Sequence, residues 1–325
     1  MRGSRVVINA PRQLADGRTL SGLPSFRFEL FEFRDQNSLA SYLSALIEER
    51  LARPPAGTMA GRSATSGAAR ASGSRFAYLK GDLVFLEFAL VRWALELLGG
   101  KGFVPVIPPV LVREEALYGT GFLPDTEQQI YRLADDALYL AGTSEVALAS
   151  LHAGEMLAEA ELPKRYAGYS PCFRAEAGAA GRDTRGMFRM HQFDKVEMFV
   201  LCRPEESEQF HEQLLANEEE LVQALALPYR VVNIAVGDLG APAAKKYDIE
   251  AWFPSQERYR EVTSCSNTTD FQARRLEIRM RPAGGGSARV LHTLNGTAVA
   301  VGRTIIALLE NGQQEDGSIA MPSVL

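Results

Sequence analysis

Arginines set between apolar arms mark residues 171–199, PCFRAEAGAAGRDTRGMFRMHQFDKVEMF. One strand-like arm carries Cys172, Phe173 and Arg174, and the other carries Phe188, Met190, Gln192, Phe193, Val196 and Met198. Between them Gly178, Gly181 and Gly186 permit turns and close approaches that side-chain-bearing residues resist. This stretch holds Arg174, Arg182, Arg185 and Arg189 beside Glu176, Asp183 and Glu197. A guanidinium is a planar fork of donors that matches phosphate and carboxylate. Several on one hairpin point to a polyanion held against a sheet. Composition alone would read as a solvated charged face, but the charges alternate with Phe173, Phe188 and Phe193, and an unpaired charge near a core is costly.

Other stretches carry polar groups in workable patterns. Thr143 and Glu145 lie two residues apart and share one side of an extended chain. Thr143 suits equally well the N-cap of a helix over 146–151, with Glu145 in its first turn. In YREVTSCSN, residues 259–267, one strand presents a carboxylate and hydroxyls, hard oxygens of the kind Mg²⁺ takes while bridging phosphates, or simply a polar edge strand. Asn295, Thr297 and Arg303 belong to LHTLNGTAVAVGR, a strand leading into a helix near an arginine. No GxGxxG opens a βαβ unit, and no Walker loop offers a competing nucleotide site.

Residues 171–199 closely resemble motif 2 of class II aminoacyl-tRNA synthetases, whose Phe-Arg-x-Glu core is here Phe173, Arg174, Ala175 and Glu176. With GRDTRG in the loop and RMHQFDKVE on the return, the wording resembles seryl-tRNA synthetases in particular. The resemblance resumes in TGFLP, GTSE, YREVTSCSN, DFQARR and TLNGTAVAVGRTIIALLEN, and covers about the last four-fifths of the chain. It implies an α+β fold, a seven-stranded-type antiparallel β-sheet flanked by helices. It also implies a serine–tRNA ligase using ATP and Mg²⁺. By the same resemblance, Arg174 bridges the α-phosphate and the amino-acid carboxylate, while Arg189 and Arg303 hold the outer phosphates. Phe193 stacks the adenine, Glu176 orients the ATP, and Glu261 and Ser264 bind the metal. Thr143 and Glu145 take the serine amino group, and Glu197, Asn295 and Thr297 the hydroxyl.

Composition bounds these expectations. The 325 residues suffice for one large or two modest domains, with ordinary hydrophobic (46%) and charged (23%) content for a soluble protein. A net charge of −5 gives no global attraction for nucleic acid, so RNA contact needs a local basic surface. Cys172, Cys202 and Cys265 lack paired spacing, which suits a reducing cytoplasm, and with scattered histidines no zinc is expected. No signal peptide or membrane-spanning run is expected.

Along the chain, strands are expected near 5–9 and 26–33, and a helix over 39–51 stopped by Pro54-Pro55. A Gly/Ala/Ser-rich linker follows at 56–74. The expected division is an atypical N-terminal segment, 1–70, and a catalytic domain, 71–325. The long coiled coil with which seryl enzymes begin is not recognisable in the first seventy residues. That departure keeps alternatives in view: transfer of serine or a similar amino acid to a non-tRNA acceptor, or a non-catalytic regulatory homologue. An apolar helix over 81–98 followed by extended 103–109 resembles motif 1, which implies a homodimer, although a buried helix within one subunit has the same periodicity. Residues 118–124 read as a loop, 205–225 as an acidic helix with a solvated face, 231–236 and 247–253 as strands, and 304–309 as a helix.

Overall fold

The computed structural model describes residues 68, 70–124, 129–177, 187–315 and 318–325, with the backbone alone of 4–8 and 26–30. The helix expected at 39–51, most of the 56–74 linker, and Arg182, Asp183 and Arg185 lie outside the described residues.

Strands β1 (Ser4–Ile8) and β2 (Phe26–Leu30) pair antiparallel, where short strands were expected. Helix α1 (Asp82–Gly100) buries Leu86, Leu90, Val91, Ala94 and Leu98, a helical spacing that gives it one core-facing stripe. Next come β3 (Val104–Val106), β4 (Leu111–Arg113), α2 (Glu114–Thr120), β5 (Tyr131–Arg132), β6 (Leu138–Leu140), α3 (Glu145–Ser150) and β7 (Met156–Ala158). The expected loop at 118–124 is thus half helix: α2 runs to Thr120 and stops at Gly121, whose φ of 90° is left-handed.

Long strands β8 (Lys164–Phe173) and β9 (Gln192–Cys202) form the expected hairpin, and α4 (Ser207–Ala224) follows. Phe188 and Met190, read as part of the return arm, precede β9 in a bent segment. Then come β10 (Tyr229–Asn233), β11 (Lys245–Phe253), β12 (Arg258–Thr269), α5 (Phe271–Arg275), β13 (Arg279–Arg281), β14 (Arg289–Val290), β15 (His292–Ala300) and α6 (Val301–Gly312). The strand expected at 231–236 sits earlier, because the chain turns into a 3₁₀ segment at Val236–Asp238.

Seven strands form one sheet in the order β10-β11-β12-β15-β9-β8-β3. All neighbours are antiparallel except β3, which runs parallel to β8 at the edge. β9 explains how the sheet is covered. Val196, Met198, Val200 and Cys202 enter one core with α1, α4 and α6, whereas Phe199 and Leu201 enter a second with α3 and α5. Period-two alternation divides these residues, and both faces are apolar because helices cover both. Lys195 and Glu197 continue the face of Phe199 and Leu201, and there the side chains turn polar.

Helix α4 is the acidic, amphipathic helix expected, and its buried face carries polar as well as apolar residues. It buries Phe210, His211, Leu214, Asn217, Glu218, Leu221 and Val222 against the sheet. Glu218 accepts a hydrogen bond from Thr263 Oγ1 at 3.0 Å, and burial pushes its carboxyl well above the usual carboxylate range. Among the described residues no helix is long and apolar enough to cross a membrane. Leu214 is 1% exposed, so Leu214→Ala opens a cavity between α4 and the sheet and costs about 2–5 kcal/mol. Urea unfolding checks this, with a clear fall in midpoint expected at unchanged slope.

Candidate active site

The β8–β9 pairing runs in continuous register from Lys164↔Leu201 to Phe173↔Gln192, and Arg174 emerges at its open end. Two bonds to His191 pin the Arg174 backbone. Its N–H donates to His191 O at 2.9 Å, and its carbonyl accepts from His191 Nδ1, also at 2.9 Å. A carbonyl can only accept, so this bond uses the tautomer protonated on Nδ1, a nitrogen that also lies 3.0 Å from the Tyr131 hydroxyl. The Arg174 side chain donates from Nε to Gly142 O at 3.3 Å, and its guanidinium carbon lies 5.2 Å from the Phe193 ring centroid. Two residues on, Glu176 has φ of 51°, a left-handed conformation uncommon outside glycine, and accepts from Arg189 Nη1 at 2.7 Å.

Arg303 comes from the first turn of α6, which starts earlier than the helix expected at 304–309 because Ala300 is already extended and acts as its N-cap. Its Nη1 donates to Glu261 O at 2.9 Å and lies 3.4 Å from Glu261 Oε1, while its guanidinium carbon sits 4.7 Å from the Phe188 ring centroid. Burial pushes the Arg303 pKa down. Glu261 opposes that shift, and the charges of Arg174, Arg189 and Arg260 add to it. Like charges are therefore crowded here. Arg174, Glu176, Arg189, Phe193, Glu261, Thr297 and Arg303 line one trough, joined by Phe188 and Lys195.

Two β-bulges aim residues into this region. Opposite β11, Thr263 pairs with Ile249 and Glu261 with Glu250, leaving Val262 as an extra residue. Strict alternation would put Glu261 and Ser264 on opposite faces; the extra residue returns them to one. On β15, Ala298 is likewise extra between Thr297 and Val299, so Thr297 and Ala300 both reach the trough. Ser264 shares the face of Glu261 but is not on the trough wall, and its hydroxyl bonds Asp248. Asp248 itself is raised above the usual range by burial and by the charge of Glu261. Among the described residues no three His, Cys, Asp or Glu side chains converge on a metal position. Mg²⁺ does not need such a cage, since it keeps waters and takes one or two protein carboxylates plus phosphates. The oxygen-only set of Glu261 and Ser264, with Asp248 behind it, fits that chemistry.

Beside the arginines lies a buried polar cluster. Glu145 Oε1 accepts from Gln272 Nε2 at 2.7 Å and from Asn295 Nδ2 at 2.8 Å. Burial, then the nearby charge of Glu197, raises Glu145 to about 7. Thr143 Oγ1 accepts the N–H of Glu145 at 3.2 Å and Lys195 Nζ at 2.9 Å, and Lys195 is ion-paired to Glu197. Neither reading of Thr143 holds as expected: Ser144 is the N-cap of α3 and Glu145 is already helical, so the Thr143 hydroxyl braces the helix from one residue before its cap and faces the cluster. Gly168, opposite Glu197 in the ladder, lets α3 sit this close: a Cβ there would come within 2.8 Å of Leu148 Cδ1 and 3.1 Å of Ser144 Oγ.

All the candidate residues therefore fall in one region, with Ser264 at its margin. Lys195 and Gln272 had been assigned no role. Lys195 was findable, since it precedes Glu197 by two residues and alternation puts both on one face. Gln272 lies in DFQARR, where nothing in the local pattern indicates a partner far away in sequence.

Comparison with known proteins agrees with this geometry. The profile of the tRNA synthetase class II core domain (G, H, P, S and T) matches residues 129–312. The serine–tRNA ligase of Pyrococcus horikoshii is 56% identical over 258 residues, 79% of this chain and 57% of the relative. That of Acidothermus cellulolyticus is 57% identical over 258 residues, 79% of this chain and 61% of the relative. The chain thus spans about 57–61% of the length of these relatives. The Pyrococcus horikoshii seryl-tRNA synthetase structure, complexed with ATP, superposes with a TM-score of 0.78 at 55% identity, covering 80% of this chain and 58% of that one. The cytoplasmic serine–tRNA ligase of Naegleria fowleri, in complex with AMP, gives 0.77 at 38% identity, covering 86% and 64%. A shared core sequence, a shared fold and one arginine-lined trough lead to the same conclusion: the chain belongs to the class II tRNA synthetase core-domain family.

Proposed function

We propose that the chain activates serine with ATP to give seryl-adenylate and transfers the seryl group to tRNA(Ser), as a serine–tRNA ligase. The observation that carries this reading is the convergence of Arg174, Arg189 and Arg303 on one trough beside the buried Glu145–Lys195–Glu197 cluster. The crowded guanidinia form a site that an anion relieves, and ATP with an amino-acid carboxylate brings several anions. In the first step a serine carboxylate oxygen bonds to the α-phosphorus while the bond to pyrophosphate breaks. In the second a 3′-terminal hydroxyl of the tRNA attacks the acyl carbonyl and AMP leaves. The first step calls for alignment and charge neutralisation rather than covalent help.

Arg174 bridges the α-phosphate and the carboxylate, Arg189 and Arg303 take the outer phosphates, Phe193 stacks the adenine, and Glu176 orients the nucleotide. Glu261 and Ser264 hold Mg²⁺, which when bound neutralises phosphate charge. Thr143 and Glu145 receive the serine ammonium, and Glu197, Asn295 and Thr297 read its hydroxyl. A site built to pair a hydroxyl rejects alanine strongly, because its own polar groups would otherwise be left buried and unpaired.

The catalytic domain in this reading is 71–325, preceded by the atypical segment 1–70. A homodimer is supported by apolar side chains left exposed beside motif 1: Phe85 and Phe88 on α1 (59% each), Val104 (55%) and Ile107 (81%). A cytoplasmic location is supported by three free, buried cysteines.

Two outcomes are expected. Wild-type chain catalyses serine-dependent ATP–pyrophosphate exchange and charges tRNA(Ser), while Arg174→Ala lowers exchange by about 10³-fold or more. Normal exchange in that variant removes the role of Arg174. Exchange without charging keeps adenylation and points to another acceptor. Serine affinity depends on pH through Glu145, whose carboxyl titrates at about 7. Only the ionised form attracts the ammonium, so affinity falls as pH drops through about 7, and Glu145→Gln flattens that limb. Apparent serine KM from about pH 5.5 to 8, bracketing that titration, is the measurement.

A further inference from the structure

DFQARR, which none of the assigned roles uses, supplies Gln272 from the short helix α5, and this side chain is fully buried. Its amide is held at both ends. Nε2 donates to Glu145 Oε1 at 2.7 Å and to the backbone carbonyl of Thr120, at the end of α2, at 3.3 Å. Oε1 accepts from Thr293 Oγ1 at 2.8 Å, and Thr293 lies 2.6 Å from Thr268 Oγ1. The proton order is fixed. Thr120 O and a carboxylate can only accept, so the NH₂ end must face them and the carbonyl end must face Thr293. Thr268 Oγ1 donates its one proton to the Thr293 backbone carbonyl at 2.7 Å, and the Thr293 hydroxyl donates to the Gln272 carbonyl. Thr120, Thr268, Gln272 and Thr293 are all 1% exposed or less, so a dry network on α2, β12, α5 and β15 runs to one oxygen of one carboxylate.

We infer that Gln272 is a positioning residue for amino-acid recognition: with Asn295 it fixes Glu145 by Oε1 and presents Oε2 to the substrate ammonium. This rests on the reading of Glu145 as the partner of that ammonium. A flipped amide would set a carbonyl oxygen against the carboxylate and leave Thr120 O unpaired, and these two acceptors hold the amide as it stands. Gln272 also has an electrostatic effect. The groups around Glu145 are Glu197 and Lys195 on β9 and Arg174 at the end of β8; Glu197 raises its pKa together with burial, while Gln272, Lys195 and Arg174 lower it. Losing the amide donor makes ionisation of Glu145 harder, so the pH limb of serine binding moves up.

The test is ATP–pyrophosphate exchange by the whole chain, with serine KM and ATP KM measured separately against pH. Gln272→Met keeps the bulk and removes both ends of the amide. Its serine KM at pH 7 rises about tenfold, the loss of one charge-assisted hydrogen bond, with the acid limb moved up by about one pH unit and ATP KM unchanged. Thr293→Val, equal in volume, removes only the hydroxyl that anchors the carbonyl end of the amide and gives a smaller shift in the same direction, even if Gln272→Met fails to fold. Unchanged serine KM and pH limb in Thr293→Val and Gln272→Met overturn the proposal, as does an equal loss for serine and ATP, which marks a merely structural role. Wild-type chain without serine-dependent exchange overturns the amino-acid reading itself, and this inference with it.

Discussion

Guanidinium crowding at the open end of the β8–β9 hairpin is the constraint around which the rest of the site is arranged. Arg174, Arg189 and Arg303 face one trough, and burial, with the neighbouring guanidinium charges adding to it, depresses the Arg303 pKa. Among the described residues Glu176 and Glu261 offset them directly, each through a pair to one arginine: 2.7 Å to Arg189 and 3.4 Å to Arg303. Such an arrangement persists because folding of a large sheet elsewhere supplies the stability. Its function follows from the same feature. A polyanion gains most where cations are already assembled and need not reorganise.

Rigid elements set the positions. Arg174 is tied through its backbone to His191, and Arg303 is in the first turn of a helix whose remaining residues are largely buried. Glu145 begins a short helix that approaches the sheet at Gly168. The bulges at Val262 and Ala298 turn carboxylate, hydroxyl and trough-lining positions to one side without breaking the sheet. The sheet's two faces then divide the work. One is sealed under α1, α4 and α6, and the other carries an apolar patch at one end of β9 and the polar cluster at the other.

Much of this was legible in the chain. Arg174, Glu176, Arg189 and Phe193 lie at the open end of one hairpin, so their proximity follows from the antiparallel pairing that sets Phe173 opposite Gln192. Apolar segments placed α1 and α6 to within a few residues and β9 about four residues early, whereas of β8 only its last residues were read. Contacts across the sequence were not legible. Asn295 and Glu145 are 150 residues apart and Gln272 and Glu145 are 127 apart, and no periodicity relates them. The bulges were equally hidden, since strict alternation separates Glu261 from Ser264 and only the ladder shows the extra residue. The burial of Glu218 on α4 was not legible either: its partner Thr263 lies 45 residues on, and burial holds the carboxyl toward its neutral form. Lys195 was passed over as well: its charge is matched by Glu197, a pairing formed only once β9 lies under Thr143.

The central claim is that one trough takes nucleotide and amino acid together and reads the serine hydroxyl. Isothermal titration with a non-hydrolysable seryl-adenylate analogue, set against its alanyl counterpart, tests this most directly. One site per chain and a preference for the seryl form of about 10³–10⁴-fold are expected, the discrimination available to a site whose polar groups would otherwise be left unpaired. Equal affinity for the two analogues, or no binding of either, would contradict the claim.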